Sequence, residues 1–107
     1  MELPFASVIT GIGICIYAPS TAIGVNTNIT TYLMTNGTGA LPVQSAMAAT
    51  ITGTGSVGFS FGSDTSHSYS LPANSLICLS NAVSVTSGTA QITSGIFNYT
   101  LYGYYNQ

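Results

Sequence analysis

The sequence predicts an all-β fold, an antiparallel sandwich or small jelly-roll-like barrel of about seven to nine short strands. Three observations predict it. Apolar residues recur at every second position in several segments, which is the strand period. Clusters of Gly, Pro, Asn, Asp and Ser punctuate those segments at short intervals. No long window shows helical spacing with capping residues at its ends, and good helix formers gather only at Gln44 to Ala49. The chain has 107 residues, enough for one small core and too few for two, so residues 1–107 are expected to form a single β domain.

The N-terminal run from Leu3 to Val25 is the most apolar. Read as a signal peptide it has Glu2 where a positive charge is expected, so a directly expressed, unprocessed protein fits better. Read as a membrane helix it is interrupted by Pro4, Gly11, Gly13 and Pro19, with no Lys or Arg at either end to orient it. Read as a strand it has Ile12, Ile14 and Ile16 on one face, the reading favoured here. A glycine-bare face at Gly11 and Gly13 suits close approach by another strand or sheet. Residues 1–18 are accordingly expected to form either a strand of the domain or an arm exchanged with a neighbour.

Further along, Asn28 to Met34 precedes Asn36-Gly37, the strongest two-residue hairpin signal of the chain. Ala46 to Ile51 leads into Gly53-Thr54-Gly55. Val57, Phe59 and Phe61 alternate with Ser56, Gly58 and Ser60, as in a half-buried strand, until Gly62-Ser63-Asp64 breaks the pattern. Pro72 and Asn74 introduce Leu76 to Leu79, apolar on both faces and so expected in the centre of a sheet. Val83 and Val85 suggest another short strand, ended by Ser87-Gly88. From Ile96 to Tyr105 the alternation is clearest: Phe97, Tyr99, Leu101 and Tyr105 face one way, Asn98 and Thr100 the other.

Charge decides what such a domain can do. An average domain is about one-quarter Asp, Glu, Lys and Arg. This chain has two acidic residues, Glu2 and Asp64, and neither Lys nor Arg, giving a formal net charge of −2. Nothing can neutralise phosphates, which excludes nucleic acid as a direct partner. With so little like-charge repulsion, copies can pack side by side. The surface is instead paved with hydroxyls, amides and glycine.

Chemistry is poorly supplied. Acid–base catalysis by two carboxylates would require Glu2 and Asp64 to meet, and Glu2 sits in a terminus expected to be mobile. Asp64-Thr65-Ser66-His67 holds the parts of a hydrolase, but Asp and His on one loop rarely form a relay, and a turn capped by Asp64 with His67 solvated accounts for them. Asp64 and His67 fall short of the ligands zinc demands. Gly11-Ile12-Gly13 lacks the rest of a phosphate loop. No catalytic residue, cofactor or metal is expected. Cys15 and Cys78 allow one disulfide or two small buried side chains. Asn28, Asn36 and Asn98 each start a glycosylation pattern, close to the number chance would supply. The tyrosines Tyr99, Tyr102, Tyr104 and Tyr105 suit a subunit interface, and less well a sugar-stacking face, there being no Trp.

The C-terminal part resembles, in style, the small β-sandwich proteins that decorate the heads of tailed bacteriophages. The likeness lies in Tyr69-Ser70-Leu71-Pro72-Ala73-Asn74-Ser75-Leu76-Ile77, in Val83-Ser84-Val85-Thr86-Ser87-Gly88-Thr89, and in the aromatic segment Phe97 to Tyr104. The resemblance implies a cement role on a virion surface, with copies of the chain and the major capsid protein as partners, often in trimers. The absence of basic residues departs from many such proteins and leaves docking to shape, hydrogen bonds and apolar contacts.

The expected function is therefore a capsid decoration subunit that self-associates. Its expected interface is Phe5, Ile12, Ile14, Ile16, Tyr17, Tyr102, Tyr104 and Tyr105. The alternatives are an extracellular filament subunit that donates Leu3 to Ile16 to its neighbour, and a carbohydrate-binding module of a phage fibre. Neither a membrane nor a nucleic acid is expected as a partner.

Overall fold

Seven antiparallel strands build two facing sheets in a computed structural model that describes residues 1–18, 23–36, 41–86, 88 and 96–106. They are β1 (Ser7–Ala18), β2 (Thr27–Asn36), β3 (Val43–Thr52), β4 (Gly58–Asp64), β5 (Tyr69–Leu71), β6 (Leu76–Val85) and β7 (Ile96–Tyr105). One sheet has the order β3-β2-β6. In the other, β1 is central, with β4 and β5 successively along one edge and β7 along the other. The fold is a β-sandwich about 44 Å long and 22 Å across.

The alternating isoleucines of β1 make the core. Ile12, Ile14 and Ile16 are buried, facing Ile29 and Leu33 of β2 and Met47, Ala49 and Ile51 of β3 in one apolar cluster. Each isoleucine, leucine or methionine among them contributes roughly 1.5–3 kcal/mol by leaving water. This corrects the expectation that the three isoleucines form an interface: they are the chain's own centre. Nor does the N-terminal segment form a free arm, since β1 is paired along both edges. Met1 and Leu3 are tied to the start of β6, through Ile77 N to Met1 O (2.9 Å) and Leu3 N to Ser75 O (2.9 Å).

Two other readings change. Gly62-Ser63-Asp64 does not end a strand, because β4 runs through to Asp64. Leu76–Leu79 and Val83–Val85 are one strand, β6, and it is an edge strand, paired with β2. It is introduced by a turn in which Asn74 adopts φ 67°, a conformation its short polar side chain tolerates, while Ser75 Oγ donates to Pro72 O at 2.6 Å. Gln44 to Ala49 lies in β3, so pairing with β2 overrides its helix propensity. The turn residues Gly37 and Ser87 and the loop residue Pro19 lie outside the described residues.

Candidate functional site

The orientation of β4 is set by its small residues. A Cβ on Gly62 would lie 2.5 Å from the carbonyl oxygen of Thr50 on β3, so only glycine lets the two sheets approach there. With Gly58, Ser60 and Gly62 turned inward, Phe59 and Phe61 are forced out, at 65% and 73% exposure. The period of the segment was read correctly, but its apolar face is the outer one. A glycine alternating with the phenylalanines was the available signal.

The phenylalanines join a row across the outer face of this sheet. Register places Tyr17 opposite Phe59 and Cys15 opposite Phe61 on one side, and Tyr17 opposite Ile96 and Gly13 opposite Thr100 on the other. Tyr17 stacks on Phe59 with ring centroids 4.6 Å apart, and Phe59 on Phe61 at 6.1 Å. Tyr102 lies over the bare backbone of Gly11 and Gly13, whose added Cβ atoms would meet its ring at 3.2 and 3.6 Å. Between the Phe61 and Tyr102 ridges runs a groove of about 360 Å³, floored by Gly13 and Cys15 and flanked by Asn98 and Thr100.

The two flanks of the sandwich differ. Along the β3/β4 flank, side chains from one sheet close the edge of the other. The Asp64 carboxylate accepts the Ala48 N–H at 3.0 Å, and the Tyr69 hydroxyl accepts the Ala46 N–H at 2.9 Å. Along the β6/β7 flank the sheets part. Two adjoining apolar cavities lie there and share Met1 and Leu101: one of about 240 Å³ walled by Leu3, Ile9 and Tyr105, the other of about 270 Å³ walled by Leu33, Ile77, Leu79 and Tyr99. All ten residues of β7 are exposed, and so are Val83 and Val85 on the core-facing side of β6. An Asn81 to Tyr99 hydrogen bond spans the gap.

The expected interface residues therefore divide. Phe5, Tyr102, Tyr104 and Tyr105 are exposed, with Phe5 edge-on to Tyr105 at 5.4 Å. Tyr17 is half-buried in the outer row. Tyr99, which also suits an interface by sequence, is exposed, and Phe59, Phe61, Ile96, Phe97 and Leu101 extend the apolar surface beyond the residues that sequence singles out. Both cysteines are free, Cys15 half-buried and Cys78 exposed, which corrects both readings of the pair.

Asp64, Ser66 and His67 do meet. Ser66 N and Ser66 Oγ each donate to Asp64 Oδ1 at 2.9 Å, and His67 Nδ1 lies 2.7 Å from Asp64 Oδ2. Ser66 Oγ approaches the same ring nitrogen, at 3.3 Å. A relay needs the carboxylate on one imidazole nitrogen and the nucleophile on the other, so this arrangement is a capped turn. Burial raises the Asp64 pKa, but hydrogen bonds from Ala48, Ser66 and His67 outweigh it and hold the carboxyl well below the usual range. No group of three metal-ligating side chains occurs among the described residues. Nor does any helix among them have the length and apolarity to cross a membrane.

What defines the class is thus the fold, an antiparallel sandwich in which the described residues form seven strands and leave one flank closed and the other open. No protein-family model matches the chain, and neither a curated protein nor a solved structure does.

Proposed function

We propose that the chain is a non-enzymatic coat subunit, a decoration or cement protein of a virion surface that self-associates and stabilises the shell beneath it. The observation behind this reading is the outer face of the four-stranded sheet, where Tyr17, Phe59, Phe61 and Tyr102 form apolar ridges and no described residue facing outward from β1, β4 or β7 is acidic or basic. Of the two acidic side chains Asp64 is buried, which leaves Glu2 as the exposed one. Apolar patches of this kind mark surfaces that other protein covers.

Two experiments test it. Sedimentation over rising concentration should show association that weakens in Phe59→Ser and Phe61→Ser, and a chain that stays monomeric at millimolar concentration would overturn self-association. Immunolabelling of purified virions should decorate the particle surface, whereas recovery only from secreted filaments would transfer the protein to the filament reading.

The geometry gives the filament alternative less support. Donating Leu3 to Ile16 would remove the centre of a sheet together with Ile12, Ile14 and Ile16 of the core. The glycan-binding alternative rests on the groove beside Tyr102, with Asn98 and Thr100 as polar groups. Silence on a glycan array disposes of it.

A further inference from the structure

We infer that β7 is an edge left open for the β7 of a second copy, joining two four-stranded sheets into one across a twofold axis. This rests on the self-association proposed above and adds to the outer face a second contact between copies, at a sheet edge.

The edges of the two sheets are treated differently. That of β3 is closed by Asp64 and Tyr69, and the start of β6 by Met1 to Leu3. β7 is paired with β1 on one side and meets no strand on the other among the described residues. Natural proteins blunt such edges with Lys, Pro or inward charges. Ile96-Phe97-Asn98-Tyr99-Thr100-Leu101-Tyr102-Gly103-Tyr104-Tyr105 has none of these, and every residue in it is exposed. An unprotected, uncharged, β-prone edge is a template for main-chain pairing.

The chemistry selects a copy of the chain as the occupant. An ion-free strand offers no charge to steer a charged partner, while two such strands meet without repulsion. In antiparallel pairing, residues directly opposite share a sheet face, so a twofold must pass through a residue. Placing it at Leu101 aligns Phe97 to Tyr105 with itself over its full length. Tyr99 then covers the partner's Gly103, Phe97 meets the partner's Tyr105, Tyr102 the partner's Thr100 and Tyr104 the partner's Asn98. Large side chains fall opposite small or polar ones, and Phe97 with Tyr105 makes an aromatic pair, the combinations that stabilise cross-strand contacts.

Charge exchange across the axis tests this in the full chain. Thr100→Lys/Tyr102→Lys and Thr100→Glu/Tyr102→Glu alter exposed side chains and set like charges opposite each other twice. Each double variant alone should associate at least about tenfold more weakly than the parent. An equimolar mixture should recover a heterodimer that added salt weakens. In the parent, amide exchange within residues 96–105 should slow as concentration rises. If both variants associate like the parent, the β7 pairing is overturned while self-association through another surface stands. A parent that stays monomeric overturns both. Should the variants fail to fold, as circular dichroism would reveal, amide exchange in the parent decides, and β7 amides indifferent to concentration overturn the pairing.

Discussion

Gly62 of β4 lies so close to Thr50 of β3 that a methyl group on it would reach within 2.5 Å of the Thr50 carbonyl oxygen. This approach closes one flank of the sandwich and turns Phe59 and Phe61 outward. The surface available to partners thus follows from a packing constraint on its opposite side.

Gly62→Ala should therefore destabilise the fold. The atoms it would meet are backbone, which cannot swing aside, and overpacking of this kind costs about 1–3 kcal/mol. The same change at Gly58, whose added Cβ would meet nothing within 4 Å, tests backbone strain alone, since its φ is 117°. Urea midpoints of the two variants separate crowding from strain.

Asp64 links β4 to β3 through Ala48 and should make stability depend on acid. Its folded pKa is held below the ordinary value of about 3.9. Its contribution is complete above about pH 5 and is lost as the pH falls through the unfolded value toward the folded one. Asp64→Ala should cost about 1–3 kcal/mol at neutral pH by removing the charged acceptor of the hydrogen bonds from Ala48, Ser66 and His67. It should also flatten the loss of urea stability between pH 5 and pH 2 relative to the parent.

Core and outer face should respond oppositely to truncation. Ile16 is fully buried, so Ile16→Ala should lose about 2–5 kcal/mol. Phe61 stands 73% exposed, so Phe61→Ser should change monomer stability by about 1 kcal/mol or less while reducing self-association. Thermal melts at low concentration, paired with sedimentation at high concentration, measure the two effects separately.

The cysteines should behave as independent thiols. Cys78 is exposed and should react first with a thiol reagent, ahead of the half-buried Cys15. Mass spectrometry of denatured, unreduced protein should find both cysteines free of an intrachain bridge.

Much of the fold was legible because strand periodicity is local. Alternation at Ile12, Ile14 and Ile16, at Phe59 and Phe61, and from Phe97 to Tyr105 marks three of the seven strands, and turn residues set off β2, β3 and β6; β5, three residues long, is too short to show a period. Alternation, however, has two faces and does not say which is inside. In β1 the isoleucines point in; in β4 the phenylalanines point out, because only a residue without a side chain, Gly62, fits against Thr50. The segment Leu76 to Leu79, apolar on both faces, was read as central for a similar reason. It lies at an edge, where Ile77 faces the core and Cys78 the solvent.

What the sequence by itself determined is the strand content, the nearly ion-free surface and the poverty of catalytic groups, since these are properties of composition and short-range period. Only the tertiary structure decided which strands are central, which flank is open and which aromatics reach solvent. Those depend on distances between residues far apart in the chain, such as Gly62 to Thr50 and Asp64 to Ala48, and a local pattern carries no record of such distances.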